Sequence, residues 1–249
     1  MRARERRSAL PPLPERTLAE EVLVVLSLSL LASAVFAIID LLSAPLRGVT
    51  VASVSQSPQL ARQVSGSLFN LAPVWLVTYL VRRSGEGVRA IGLGWDRPRG
   101  DLLRGFALFA VVGLGGIVVY LGSVALGVNR FVVPVPPTGR WWTVPVLLLN
   151  AAEAALLEEV VVVAYLVTRL RQLGLTEGGA IGASALLRGT YHLYQGWGGF
   201  TGNLAMGVLF GFVFVRTRRA WPIVLAHFLL DVAAGVGFLL FRGHLPGFA

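Results

Sequence analysis

Seven long apolar stretches dominate the chain, at roughly 22–43, 67–82, 105–127, 142–168, 178–195, 201–215 and 221–241. A helix rises 1.5 Å per residue, so about twenty apolar residues cross about 30 Å of hydrocarbon. Most of the stretches approach that length; 67–82, 178–195 and 201–215 are short enough to tilt or re-enter. Inside a bilayer every backbone N–H and C=O must be paired within the protein, which leaves helices and closed barrels. Continuous runs of this kind select helices. The expected fold is an all-α, polytopic transmembrane helical bundle of about seven membrane helices, with six to eight allowed by the boundaries. Composition agrees: 55% of residues are hydrophobic and 14% charged, against roughly 25% charged in a soluble domain.

The net charge is +9, and every basic side chain is Arg, because the chain has no Lys. That excludes a phosphate-binding loop lysine, a Schiff base and a lysine general base. Cys is also absent, which excludes thiol catalysis, disulfides and cysteine metal sites. With the N-terminus placed in the cytoplasm, the inner segments hold Arg2, Arg4, Arg6, Arg7, Arg16, Arg82, Arg83, Arg89, Arg97, Arg99, Arg104, Arg169, Arg171, Arg216, Arg218 and Arg219. The outer segments hold Arg47, Arg62, Arg130, Arg140 and Arg242. Sixteen against five follows the positive-inside rule. The basic charge therefore reports orientation in a cell (plasma or inner) membrane, with contact to the lipid bilayer and none to nucleic acid. Trp141, Trp142 and Trp197 fall at the outer boundary and Trp221 at the inner one, as interface anchors do. Residues 1–20 read as a cytoplasmic tail. Residues 21–249 read as one membrane domain, with N-terminal helices over 21–130 and a core over 140–241. The first apolar run is too long for a signal peptide and reads as a retained anchor.

One Arg is left over. Arg188 lies inside the fifth stretch, at membrane depth. Ionisable groups there cost about 2.5–3.5 kcal/mol each on insertion scales, so each calls for a reason. The first three stretches carry almost none, apart from Asp40 near an end. The last four carry Glu153, Glu158, Glu159, Arg188, His192, His227 and Asp231. This asymmetry predicts a polar four-helix core in the C-terminal half. Glu158, His192 and His227 lie about 16, 21 and 12 Å along their helices from the nearest inner-side residues. Three helices thus bring Glu, His and His to the middle of the bilayer, as a hydrolytic or a metal site would require. His227 and Asp231 are four residues apart and share a face, as do Arg188 and His192. Glu158 and Glu159 diverge by about 100°, so only one points squarely at a given partner. A lone His in such a helix can equally be interhelical glue. The Gly178/Gly182 and Gly207/Gly211 pairs read as packing surfaces. His244 lies beyond the last helix.

There is no HExxH, GxSG or GxGD sequence. What remains is a diglutamate helix (Glu158, Glu159), then Arg188-Gly-Thr-Tyr-His192, then His227-Phe-Leu-Leu-Asp231 after the Arg216–Ala226 lead-in. In order and spacing these resemble the three motifs, EExxxR, FxxxH and HxxxN or HxxxD, of the CPBP intramembrane proteases. That family is also called Abi or CAAX type II prenyl protease, and includes lysostaphin resistance protein A-like proteins. The resemblance covers about residues 140–240. Two positions depart from the pattern: Val163 stands where Arg is expected, and Arg188 where an aromatic is expected. Both are accounted for if one positive charge has moved, so that Arg188 reaches the Glu158/Glu159 pair from the neighbouring helix. Two buried carboxylates need such a cation, or they share a proton.

The resemblance implies an intramembrane (metallo)endopeptidase acting on a membrane-embedded or membrane-proximal peptide, not necessarily a prenylated one. It makes Glu158 the general base for water, with His192 beside it and Glu159 orienting Arg188. His227 with residue 231 would stabilise the oxyanion. Asp231 poses a difficulty, since an ionised Asp cannot donate a hydrogen bond. It is protonated, or orients His227, or helps hold a metal. Glu158, His192, His227 and Asp231 are the candidate ligands, and Zn2+ the candidate ion. The alternative class is a non-proteolytic membrane protein, an immunity-type scaffold or a proton- or ion-coupled transporter. All-Arg, Ala/Gly/Val-rich usage points to a high-GC bacterium.

Overall fold

The computed structural model describes residues 13–43, 49–51, 60–133 and 141–241. The side chain of Asp40, and Arg2, Arg4, Arg6, Arg7, Arg47, Arg140, Arg242 and His244, lie outside the described residues. The architecture is an all-α helical membrane bundle. The first apolar run is two helices, α1 (Glu15–Ser27) and α2 (Leu30–Ser43). At the break, Ser29 Oγ donates to the Val25 carbonyl at 2.6 Å, pairing an acceptor inside the turn. The expected tail is thus helical from Glu15 onward. Helices α3 (Leu60–Asn70) and α4 (Ala72–Arg83) meet at Leu71 and together form an apolar span, Val64–Arg83.

Helix α5 (Pro98–Ala125) starts with Pro in its first turn, where the missing N–H costs nothing. Its 28 residues reach about 42 Å, and large apolar side chains such as Phe106, Leu114 and Val118 face outward. A continuous helical rod follows: α6 (Thr143–Leu156), a π-helical segment (Leu157–Tyr165) and α7 (Leu166–Gln172). Then come α8 (Glu177–Tyr191), α9 (Trp197–Thr217) and α10 (Trp221–Phe241). Two short parallel strands, β1 (Val49–Val51) and β2 (Phe131–Val133), pair with Val49 opposite Phe131.

Among the described residues four helical runs are long and apolar enough to cross a membrane: Val64–Arg83, α5, α9 and α10. The rod of α6 and α7 also has the length, but it carries Glu153, Glu158 and Glu159 where a lipid-facing helix would be apolar. Only a helix surrounded by protein tolerates that. Helix α8, with 15 residues, packs between α2 and α9.

Small residues set the spacing around the rod. A Cβ on Gly207 would sit 2.9 Å from Ala185 Cα, and one on Gly211 3.0 Å from Ile181 Cγ2, so α9 lies directly on α8. Gly178 and Gly182, expected to pack in the same way, have open space where a Cβ would point. They lie at the start of α8, on a face that no neighbour covers among the described residues.

Two arginines expected as orientation markers are also clamps between the halves of the chain. Arg219 donates from Nε to Asp101 Oδ1 at 2.6 Å and from Nη2 to the Gly94 carbonyl at 2.7 Å. Arg169 donates to Glu86 Oε2 at 2.5 Å and to Gln172 Oε1 at 2.6 Å. Burial pushes the Glu86 carboxyl up, but the hydrogen bond and charge of Arg169 outweigh it and hold Glu86 below the usual carboxylate range. These clamps share one end of the bundle with Trp221, which stacks on Trp95 at 4.1 Å. At the opposite end Asn129, Arg130 and Gln195 lock the start of β2 to the α8–α9 turn: Arg130 N donates to the Gln195 carbonyl at 2.7 Å, and Asn129 Oδ1 accepts from Gly199 N at 2.8 Å. Trp142 and Trp197 lie at the helix starts there. The two ends are sorted as the alternation of loops requires.

Candidate active site

The site is built on the π-helical segment. Four consecutive valines, Val160–Val163, crowd an α-helical turn through their β-branches. The wider π winding, common at functional positions, relieves it. Every residue from Glu159 to Val167 is at most 2% exposed. The strip forms the floor of the site and is sealed by apolar packing from α4, α9 and α10.

Above this floor Arg188 of α8 meets both glutamates. Its Nη1 donates to Glu159 Oε1 at 2.6 Å, and its Nη2 lies 3.3 Å from Glu158 Oε2. The glutamates therefore share one partner, although successive helical positions diverge. A two-headed guanidinium offers each its own N–H, and Glu159 takes the shorter contact. Arg188 is 1% exposed and Glu159 0%. Phe210 covers the guanidinium at 5.7 Å from its ring centre, and Nη2 also approaches Met206 Sδ at 3.7 Å. Among the described residues Arg188 Nε and Glu159 Oε2 have no hydrogen-bond partner.

His227 of α10 completes the cluster. Its Nδ1 is 2.8 Å from Glu159 Oε1 and 3.3 Å from Arg188 Nη2. Arg only donates, and the carboxylate only accepts, so the shorter contact assigns the proton to Nδ1. Nε2 then faces Asp231 Oδ2 at 3.5 Å. At that distance the two are charge neighbours and not a hydrogen-bonded pair, so a proton on Nε2 is left uncommitted. Asp231 is 40% exposed along its side chain.

His192 stands at the C-terminal end of α8, on the turn that Asn129 and Arg130 pin. Its Nδ1 is 3.0 Å from the Arg188 carbonyl, which fixes Nδ1–H as donor and leaves Nε2 as the open lone pair. The ring is flanked by Tyr191 at 4.8 Å and Tyr194 at 6.2 Å, centre to centre. Gly196, at φ +105°, makes this turn possible: a Cβ there would lie 2.6 Å from the Val128 carbonyl oxygen. Glu158 is 13% exposed along its side chain and accepts the Tyr191 hydroxyl at 2.7 Å.

The structure thus brings Glu158, Glu159, Arg188 and His227 into direct contact. It places His192 on the same side through Tyr191, and Asp231 at the rim. Tyr191 was missed by motif reading, although its position, immediately before the motif histidine, was in view. Val163 is fully buried among apolar side chains, leaving no unpaired space where an Arg is expected. Among the described residues no three His, Asp or Glu side chains are arranged to hold a metal ion. The guanidinium of Arg188 fills the space between Glu158, Glu159 and His227. The donors as placed do not form a zinc site.

Residues 140–233 match a family model described as Rce1-like, type II CAAX prenyl endopeptidase Rce1-like. The matched segment runs from the start of the rod to just past Asp231 and contains all three motifs. Over this segment the chain is similar to that family of endopeptidases. No curated protein and no solved structure matches the chain.

Proposed function

We propose that this protein is an intramembrane endopeptidase that hydrolyses a peptide bond with a glutamate-activated water. The observation that carries the reading is the division of labour between the two glutamates. Glu159 is wholly buried and tied to Arg188 and His227, so it braces. Glu158 shares the same cation but keeps an accessible edge, with Tyr191 fixing its orientation. An acceptor held in place, charge-compensated and reachable by water is what a general base needs.

In this mechanism Glu158 takes a proton from water as the water oxygen bonds to the scissile carbonyl carbon. The carbonyl π electrons move onto oxygen, and protonated His227 donates its Nε2–H to the resulting oxyanion, with the Asp231 charge 3.5 Å away favouring the protonated ring. This removes the difficulty of an Asp at 231, since Nε2–H is the donor and Asp231 need not be. The C–N bond then breaks and the departing amine takes the proton from Glu158, with the open Nε2 of His192 as relay. The second water proton follows by the same route, and the products are a carboxylate and an ammonium group. Arg188 and Glu159 touch neither water nor substrate and act by holding Glu158 and His227 in register. The substrate is a peptide segment in or beside the bilayer of a bacterial cell membrane, with the Arg-rich ends cytoplasmic.

The test is peptide cleavage by purified protein against a mixed peptide library. Glu158→Gln and His227→Ala should abolish cleavage, and His192→Ala should slow it by about 10²-fold or more, with folded protein retained. Cleavage by all three at the wild-type rate would refute the proposal. A proton-coupled flux lost in the same variants would identify a transporter instead.

A further inference from the structure

Intramembrane hydrolysis requires water at a carboxylate that lies deep in an apolar bundle, and the two directions away from Glu158 are not alike. Toward Arg169, every rod residue from Glu159 to Val167 is at most 2% exposed; beyond the Glu159 cluster their neighbours are mostly apolar, and Ser184, which donates to the Val162 carbonyl at 2.7 Å, is itself fully buried. No water-sized polar route passes through such packing. Toward Trp142, the rod carries two polar side chains, Asn150 and Glu153, at half-buried positions among apolar ones. Asn150 and Glu153 sit three residues apart on α6, and Ser67 and Asn70 sit three residues apart on α3, which packs against it. Ser67 Oγ donates to Asn150 Oδ1 at 2.5 Å. Asn70 and Glu153 follow one turn further along the same two helices, and Glu153 stands five residues before Glu158 on the rod. One hydrogen-bonded rung, Ser67 with Asn150, and a second pair of polar positions, Asn70 and Glu153, therefore step down between α3 and α6 toward the open edge of the base. Neither rung enters the mechanism above, and polar pairs at membrane depth are costly enough to need a purpose.

We propose that these rungs line the path by which water reaches Glu158, from the Trp142 end of the bundle only. The inference rests on the hydrolase reading but predicts something independent of it. Asn150 and Ser67 form the entrance. Glu153 and Asn70 form the second station, and water there is held by a carboxylate and an amide that both keep free hydrogen-bonding capacity. Glu158 and Asp231 receive it.

The chain has no Cys, so single cysteines report local hydration on an otherwise unreactive background. A thiol reacts as its thiolate, which forms in water and not in hydrocarbon. Ser67→Cys, Asn150→Cys and Glu153→Cys would each be reconstituted as the full chain in phosphatidylcholine vesicles and treated on both sides with a charged methanethiosulfonate. Leu148→Cys serves as the lipid-facing comparison, being 40% exposed and about 3 Å from Asn150 in depth. Val161→Cys reports the floor. Gel filtration checks that each variant is folded. Modification at 67, 150 and 153 should be about tenfold faster than at 148 or 161. Rates at 150 and 153 no faster than at 148, or an equally fast rate at 161, would overturn the proposal.

A second arm separates this result from the hydrolase reading. The adduct on Asn150→Cys should lower peptide cleavage about tenfold, and reducing the mixed disulfide should restore it. Fast labelling in a protein that cleaves nothing would refute the peptidase and leave the water path standing. Brisk cleavage with an unreactive track would do the reverse.

Discussion

Replacing Arg188 by Met keeps a long side chain in place and removes only the charge, which makes it the most informative single change. Glu159 is 0% exposed and would lose its 2.6 Å partner, keeping only His227. Glu158 would lose a contact at 3.3 Å but keep Tyr191 and an open edge. Breaking a buried ion pair by removing one partner costs about 3–5 kcal/mol, a large share of the roughly 5–15 kcal/mol that holds a typical domain together. Most of that cost is the stranded carboxylate and not the lost attraction. Removing both charges, with Arg188→Met and Glu159→Gln together, should therefore cost less than the sum of the single changes, by about 2 kcal/mol. The assay is reversible unfolding of the four proteins of this cycle in mixed micelles, followed by circular dichroism. Additivity to within about 0.5 kcal/mol would refute the reasoning, because it would mean that Arg188 and Glu159 do not depend on each other. Cleavage should fail in both single variants whatever their stability, since each loses the brace on Glu158 or His227.

Tyr191→Phe removes the hydroxyl that holds Glu158 Oε2 while keeping the ring beside His192. Turnover should fall about tenfold with KM little changed and stability lowered by about 1 kcal/mol; an unchanged turnover would show that Glu158 needs no second anchor. The Glu86 clamp makes a prediction in acid. Its folded pKa lies below the ordinary carboxylate value of about 4.3, so its contribution is complete above that value and disappears as pH falls through the folded one. The stability difference between wild type and Glu86→Gln should be constant above about pH 5 and shrink below about pH 4. A difference that grows toward low pH would contradict the pairing with Arg169.

Much of the site was legible before any coordinates. Glu158, Glu159, His192, His227 and Asp231 were marked because charge is costly in hydrocarbon and because their spacings matched three motifs. Arg188 was marked as the one arginine that fits no loop, and it does lie between the two glutamates. Less legible were features that depend on local winding. The break at Leu28–Ser29 leaves no trace in hydropathy, since both sides are apolar. The π-helical segment is suggested only by its run of valines, a weak signal. The expected packing at Gly178 and Gly182 failed because two glycines four residues apart supply a groove without supplying a neighbour. Tyr191 was passed over because a tyrosine in an apolar helix is ordinary until its hydroxyl is seen to meet a carboxylate.

By itself the sequence determined that the chain lies in a membrane, that it does so as helices, and which few side chains must justify their charge there. These follow from transfer free energies that each residue carries wherever it is placed. Only the tertiary structure decided which carboxylate is sealed and which stays open, and which end of the bundle is closed by valines and which is stepped with polar rungs. Those depend on distances between helices far apart in the chain, where a guanidinium can satisfy two glutamates at once and a hydroxyl on α3 can meet an amide on α6.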